Sequence, residues 1–96
     1  MSDFEFLSVQ FEFEGGTYFS LIRKKKKINS IEYHITVMNG ELEKLLFGNH
    51  IITQVNGVLQ TKYNTEDKTV IRLNQAITKA LEKYLSSNSV EATLAK

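Results

Sequence analysis

The side chains best suited to acid–base catalysis or metal binding are the two histidines, His34 and His50. A histidine that acts as a base or as a metal ligand needs a carboxylate or a second ligand at a spacing that brings both together. Neither histidine belongs to an HxxxH or HxxE pattern, and the chain has no cysteine. We therefore predict that both histidines are structural or merely exposed, and that the protein holds no metal and no cofactor.

Neighbouring carboxylates are the next candidates for chemistry. Three pairs occur: Glu12 with Glu14, Glu41 with Glu43, and Glu66 with Asp67. Two carboxylates on one strand face suit glycoside hydrolysis only when they line a cleft that holds a substrate. The second and third pairs lie where helices are predicted to begin, and negative charge there stabilises the helix dipole. We therefore predict no catalytic residue and a protein that is not an enzyme.

The densest charge in the chain is the run Arg23, Lys24, Lys25, Lys26 and Lys27. Clustered lysines at a hairpin tip can contact phosphates of RNA, DNA or anionic lipid through counterion release. They can also protect a sheet edge from pairing with other chains, and Glu12 and Glu32 on neighbouring strands can balance their charge. Ten of the twelve basic residues are lysine, whereas bidentate phosphate recognition favours arginine. We favour the structural interpretation and keep nucleic-acid or anionic-surface binding as the alternative.

The composition is that of an ordinary globular protein, with 96 residues, 42% hydrophobic and 24% charged. A chain of this length forms one domain that folds without disulfides. The formal net charge of +1 argues against a role for the whole domain as a polyanion binder. No apolar run approaches the roughly 20 residues that span a bilayer, and the acids Asp3 and Glu5 are unlike a signal peptide. We predict no membrane span and a cytoplasmic location.

Strict alternation of apolar and polar residues predicts strands over residues 7–14 and 31–37. Phe4 and Phe6 have the opposite parity, so the first strand is expected to begin or bulge near Leu7. Gly15-Gly16 predicts a hairpin turn, because it leads into a strand and not into the helix that a phosphate-binding loop requires. The second strand, at about 17–25, is apolar on both faces.

The register of this first hairpin remains open between two alternatives. A two-residue loop sets Val9 opposite Ile22, whereas a three-residue loop sets Val9 opposite Leu21. Both alternatives are compatible with the second strand because each of its faces carries apolar side chains.

The second half of the chain predicts two more strands and two helices. Residues 41–46 have helical apolar spacing, and 50–55 and 58–63 predict strands joined by Asn56-Gly57 as a type I′ turn. From residue 65 to 86 the apolar period lengthens to three and four, which predicts an amphipathic helix. The fold class is therefore α+β, a five-stranded antiparallel meander with a short internal helix and a long carboxyl-terminal helix on one face. Residues 1–86 are predicted as the single domain and 87–96 as a disordered tail.

One long helix can cover only one face of this sheet, and the second strand is apolar on both faces. The other face needs cover from the short helix, or it stays exposed as an apolar patch, which usually marks a contact with another molecule. The candidate interface consists of Phe4, Phe6, Tyr18, Ile22 and Phe47. We predict a non-enzymatic protein-interaction or self-association module, with a homodimer or another protein as the partner. Small-ligand binding between helix and sheet is a further alternative.

Overall fold

The computed structural model describes residues 4–46, 48–61 and 65–94, without the side chains of Phe4 and of residues 88–94. Five strands and two helices follow one another: β1 Phe4–Phe13, β2 Gly16–Lys26, β3 Ile31–Val37, α1 Gly40–Leu45, β4 Ile51–Val55, β5 Val58–Thr61 and α2 Lys68–Leu94. The strands form one antiparallel sheet in the order β1-β2-β3-β4-β5. The predicted α+β meander, with its short internal helix and its long carboxyl-terminal helix, is confirmed.

β1 is longer than the sequence predicts, and its pairing with β2 contains no bulge. All ten residues from Phe4 to Phe13 pair one for one with β2. Phe6 and Leu7 lie on opposite faces because side chains alternate along a regular strand, and no bulge is needed to explain it. The predicted start or bulge near Leu7 is wrong.

The turn between β1 and β2 consists of Glu14 and Gly15, one position earlier than the predicted Gly15-Gly16 loop. Both residues have positive φ, 48° at Glu14 and 80° at Gly15, as a type I′ turn requires. The resulting register sets Val9 opposite Ser20, so both registers considered from the sequence are wrong. The observed register is one residue from the three-residue-loop alternative, which would exchange the two faces of β2, and two residues from the two-residue-loop alternative, which would keep them.

Gly16 begins β2, where it makes room for Tyr18. A Cβ atom on Gly16 would lie 2.7 Å from the Tyr18 hydroxyl oxygen, which is closer than such atoms approach one another. The Tyr18 ring also packs at a tilt against Phe11, with 5.8 Å between the ring centres. Glycine at this position is therefore required for space beside an aromatic pair at the border of the core.

The core lies between α2 and one face of the sheet. The strands contribute Val9, Phe11, Phe13, Ile22, Tyr33, Ile35, Val37 and Ile52, and α2 contributes Leu73, Ile77 and Leu81. Leu42 in α1 and Leu46 just after it join the same core. Both described helices therefore serve one face of the sheet, and α1 does not cover the other.

The short elements between β3 and α2 are held by local hydrogen bonds and turns. Asn39 caps α1, because its side-chain oxygen accepts the N–H groups of Glu41 and Leu42, each at 3.1 Å. Asn56 and Gly57 have φ of 54° and 81°, which confirms the predicted type I′ turn between β4 and β5.

α2 is also longer than the sequence predicts, since it continues past residue 86 to Leu94. Asp67 caps its start, and its carboxylate accepts the N–H of Thr69 at 2.8 Å. The helix thus extends into the segment 87–96, for which the sequence predicts a disordered tail; the division into a domain and a tail stays a prediction. No helix in the described ranges is both long enough and apolar enough to cross a membrane.

A buried polar contact joins α2 to the loop before β4. The side-chain amide of Asn74 donates to the backbone carbonyl of Asn49 at 3.1 Å, and both residues are buried. The amide oxygen of Asn74 lies 3.2 Å from the Thr78 hydroxyl, which donates to it. Because a buried polar group without a partner is costly, this contact holds α2 to one position beside the loop.

Candidate interaction surface

The face of the sheet opposite α2, which we call the open face, carries the alternate side chains that the core does not use. Directly opposite residues in antiparallel strands point to the same face, so cross-strand pairs define rows of neighbours. One row contains Ser8, Leu21 and Thr36, and the next contains Phe6, Arg23, His34 and Ile51. Most of these side chains are exposed, because neither described helix packs on this side.

Large apolar side chains gather on the open face although solvent reaches them. Besides Val58 at the start of β5, five are between 41% and 67% exposed: Phe6, Phe19, Leu21, Met38 and Ile51. Met38 joins them from just beyond β3, where its N–H donates to the Phe19 carbonyl at 2.9 Å. We call these five residues the apolar cluster. Phe19 and Met38 lie directly opposite each other, and neighbouring exposed apolar residues of this kind usually mark a contact with another molecule.

Two residues of the predicted interface lie on the wrong side of the sheet for that role. Ile22 is fully buried under α2, and Tyr18 packs against the same core. Phe19 and Leu21 occupy the open face in their place, because the observed register differs by one residue from the three-residue-loop alternative, which would set Leu21 opposite Val9 on the core face. Sequence reasoning did not predict this register, because a turn at Glu14-Gly15 places glutamate at positive φ, which is uncommon.

The other three residues of the predicted interface have different outcomes. Phe6 lies on the open face and is exposed, as predicted. Phe4 belongs to β1, but its side chain lies outside the described residues, and so does the whole of Phe47.

The basic run from Arg23 to Lys27 does not form a single patch. Because side chains alternate along β2, Arg23 and Lys25 point to the open face, whereas Lys24 and Lys26 point to the helix side. β2 is flanked by β1 and β3 along most of this run. The predicted role of these lysines in protecting a sheet edge is therefore wrong, because the strand that carries them is not an edge strand.

Part of the positive charge of the run is balanced by acids on neighbouring strands. Lys27 Nζ lies 2.9 Å from Glu32 Oε2, and Lys26 Nζ lies 3.9 Å from Glu5 Oε1. Glu32 is thus one of the two partners that the sequence predicts. Glu12, the other, lies at the far end of β1 opposite Thr17.

Glu32 holds two basic neighbours at once. Its Oε2 accepts from Lys27, and its Oε1 lies 3.0 Å from His34 Nε2. The hydrogen bond from Lys27, and after it the one from His34, lowers the pKa of the Glu32 carboxyl below its ordinary value. The carboxylate therefore serves as the ionised centre of a surface ion-pair group.

Replacing Glu32 with glutamine should remove a small, pH-dependent part of the stability. Because the folded-state pKa of this acid is lowered, its contribution is present above the unfolded pKa and is lost as the pH falls through the folded pKa. We expect the free energy of unfolding at pH 7 to fall by less than about 1 kcal/mol, since the group is near the surface. Urea unfolding of both proteins from pH 7 down to about pH 2 should show the two curves converging.

Lys27→Gln provides the matched control for this measurement. It should reproduce most of the loss at pH 7, and the double variant should lose little more than either single variant, because one interaction is shared. Losses of unfolding free energy that add in the double variant would show that the pair does not act on stability. The same conclusion would follow if the stability of Glu32→Gln and of the unchanged protein fell in the same way as the pH is lowered.

His50 contacts α1 rather than a catalytic partner. Its Nε2 is buried without a hydrogen-bond partner among the described residues, and Oε2 of Glu43 lies 3.4 Å away. The other carboxylate oxygen of Glu43 accepts the N–H of Val37 at 2.9 Å. Both histidines therefore have a glutamate beside them, but each glutamate also holds a structural neighbour.

β1 is an edge strand without the usual protection. It is bonded to β2 alone, and its ten residues contrast with the four of β5 at the other edge. Natural edge strands are guarded by charged side chains, above all lysine, by proline, by bulges or by short length. β1 has no lysine, arginine or proline in its sequence and no bulge in its pairing, and its only charged residues are Glu5 and Glu12 near its two ends.

The direction of the β1 backbone follows from one hydrogen bond on β2. Because the Phe19 carbonyl accepts from Met38, the backbone N–H and C=O groups of Phe19 are directed towards β3. Those of the next residue, Ser20, are therefore directed towards β1. Ser20 is opposite Val9, so the odd residues of β1 direct their N–H and C=O groups towards β2. The even residues of β1, from Phe4 to Glu12, direct theirs away from the sheet.

Two grooves lie beside this edge, between β1 and α2. The first, of about 550 Å³, is lined by Phe11, Lys79 and Lys83 among others, and we call it the lysine groove. The second, of about 250 Å³, is lined by Val9, Ala80 and Tyr84 among others, and we call it the tyrosine groove. The two lysines could not be singled out from the sequence, because no local pattern shows that α2 lies beside β1.

Neither histidine lines any of the described grooves. Over residues 4–46, 48–61 and 65–94, no three histidine, aspartate or glutamate side chains are grouped closely enough to share a metal ion. Comparisons with protein-family models, with curated proteins and with solved structures returned no match to this chain. The chemistry of the surface itself must therefore carry any inference about function.

Proposed function

We propose that this protein is a non-enzymatic self-association module whose partner is a second copy of the chain. The observation that carries the proposal is that the sheet is incompletely covered. Within the described residues the helices pack on one face only, the apolar cluster on the other face is exposed, and no strand pairs with the outer edge of β1. An exposed apolar patch and an unprotected edge strand are both features of surfaces that bind protein.

The placement of the reactive side chains supports a non-enzymatic role. Glu32 is engaged by Lys27 and His34, and Glu43 accepts a backbone N–H while it lies beside His50. Acids and bases that act in catalysis are instead arranged so that they reach a bound substrate in a pocket. These groups lie in contacts that hold strands and α1 together.

A nucleic-acid function through Arg23 to Lys27 has weaker support. Phosphate binding benefits from several cations on one surface, and each contact contributes to the salt dependence of binding. The alternation of β2 divides this run between two faces, and Lys26 and Lys27 have acids within 4 Å as neighbours. Small-ligand binding stays a prediction with still less support, because the described grooves lie on the surface.

The oligomeric state in solution tests the proposal. Sedimentation equilibrium of the full chain between about 5 and 200 μM should show an average mass rising towards that of two chains. A mass of one chain at every concentration would contradict self-association. In a parallel run, a short RNA at about 50 mM salt should remain uncomplexed, and complex formation that weakens steeply with added salt would favour the nucleic-acid function instead.

A further inference from the structure

We propose that a second copy of the chain adds to the outer edge of β1, so that the two sheets join into one across a twofold axis. The inference rests on the proposed self-association and identifies its surface. The even residues of β1 present a row of N–H and C=O groups with no strand beside them among the described elements. An added strand would satisfy these groups with main-chain hydrogen bonds, the mode of binding known as β-augmentation.

The geometry of the edge determines how the two strands meet. A twofold axis perpendicular to the sheet makes the strands antiparallel, and outward-directed residues can then pair only with outward-directed residues. An axis through Ser8 pairs Phe6 with Gln10 of the second copy, and Phe4 with Glu12 of the second copy. This register uses the edge from Phe4 to Glu12 and forms about ten main-chain hydrogen bonds.

Charge complementarity supports this register. Between the two copies it sets Glu5 of one opposite Phe11 of the other, on the helix side of the joined sheet. Phe11 lines the lysine groove together with Lys79, Lys83 and Glu12, so the carboxylate of the second copy enters a site whose lining carries two positive charges and one negative charge. Moving the axis to Val9 would set that carboxylate opposite Phe13, and moving it to Leu7 would set it opposite Val9, and neither of these residues lines the lysine groove.

Apolar packing supports the same register. Leu7 of the second copy lies opposite Val9 and enters the tyrosine groove beside Ala80 and Tyr84. Val9 of the second copy lies opposite Leu7 in turn, because a twofold interface repeats each contact. The axis at Ser8 sets Glu5 opposite Phe11 and Glu12 opposite Phe4, so no like charges lie directly opposite each other.

Edge pairing also changes the open face. A twofold axis perpendicular to the sheet leaves both open faces on the same side, so the two apolar clusters become parts of one surface. Phe6, on the edge strand β1, is the most exposed residue of the apolar cluster, and it gains a neighbouring strand. The dimer would therefore present a wider apolar surface than one chain alone.

Ser8→Pro tests the edge directly. The N–H of Ser8 points away from the sheet, so proline removes no hydrogen bond between β1 and β2 but blocks an added strand at its centre. We expect the dimer dissociation constant, measured by sedimentation, to rise at least about 100-fold. Ser8→Ala is the matched control and should dimerise like the unchanged protein, and circular dichroism should confirm that both variants fold.

Exchange of charge tests the register and does not depend on the proline variant. Glu5→Lys and Lys83→Glu should each weaken the dimer about tenfold, because each sets like charges together in the lysine groove. The double variant should recover to within about threefold of the unchanged protein, which loss of structure could not produce. Glu82→Lys, in the groove beside β5 on the other side of α2, is the control and should have no effect.

Leu21→Thr on the open face separates failure of this inference from failure of the proposed function. Edge pairing predicts that this variant still dimerises. A dimer that is lost in Leu21→Thr but survives Ser8→Pro and Glu5→Lys would overturn the edge interface and leave self-association standing. An unchanged protein that is monomeric throughout would overturn both.

Discussion

Replacing Ile77 with alanine should lower the free energy of unfolding by about 2 to 5 kcal/mol. Ile77 lies in the middle of α2, is fully buried and belongs to the core cluster between the helix and the sheet. The substitution removes apolar contact on both sides and leaves a cavity that the surrounding side chains fill only in part. Because a domain of this size has a stability of about 5 to 15 kcal/mol, the loss is a large share of the total.

Urea unfolding followed by circular dichroism measures this effect, and two further variants define it. Ile77→Val removes one methylene and should cost only about 0.5 to 1.5 kcal/mol. Gln75→Ala, at an exposed position of the same helix, should change the stability by less than about 0.5 kcal/mol. If Ile77→Ala were no less stable than Gln75→Ala, α2 would not pack on the sheet as described.

Replacing Asn74 with aspartate should be about as damaging, with a different dependence on pH. The Asn74 amide donates to the buried carbonyl of Asn49, whereas a carboxylate has no N–H and would turn an oxygen towards that carbonyl. We expect a loss of about 3 kcal/mol or more at pH 7, since an unpaired charge is then buried. Burial raises the pKa of the introduced carboxyl in the folded state, so its stability is greatest at low pH and falls as the pH rises through that pKa.

Asn74→Ala separates the lost hydrogen bond from the buried charge. It leaves the Asn49 carbonyl without its donor and should cost about 1 to 3 kcal/mol, with no added dependence on pH. Thermal or urea unfolding of both variants at about pH 4 and pH 8 provides the comparison, because only the carboxyl variant should lose stability between them. Equal stability of the two variants at both pH values would show that solvent reaches position 74.

The order and type of the elements were predictable because the signals are local. Alternation over β1 and β3, the Asn56-Gly57 pair and the longer apolar period of α2 each act within a few residues. Leu73, Ile77 and Leu81, which follow one another at four-residue steps in this helix, are buried in the core for the same reason. Burial of this apolar stripe requires only that α2 packs on a sheet, and it does not depend on the register of the strands.

The candidate surface was predictable only in part, because it depends on the register. The observed two-residue turn at Glu14-Gly15 places Ile22 in the core and Leu21 on the open face, whereas the register of the three-residue-loop alternative, one residue away, would exchange them. The difference of one residue is small in local energy, since both faces of β2 are apolar and either register buries hydrophobic side chains. The packing of Tyr18 over Gly16 and against Phe11 is a contact of the assembled hairpin, which no single segment specifies.

One long helix has a single apolar stripe, which can pack on only one face of a sheet. The sequence by itself therefore determined that this helix would leave the other face of the five-stranded sheet uncovered. The tertiary structure decided which residues that face carries, that the basic run is divided between two faces, and that β1 is an unprotected edge beside Lys79 and Lys83. These properties depend on strand order, register and the position of α2. Contacts between residues far apart in the chain determine all three, and local patterns of side chains do not record such contacts.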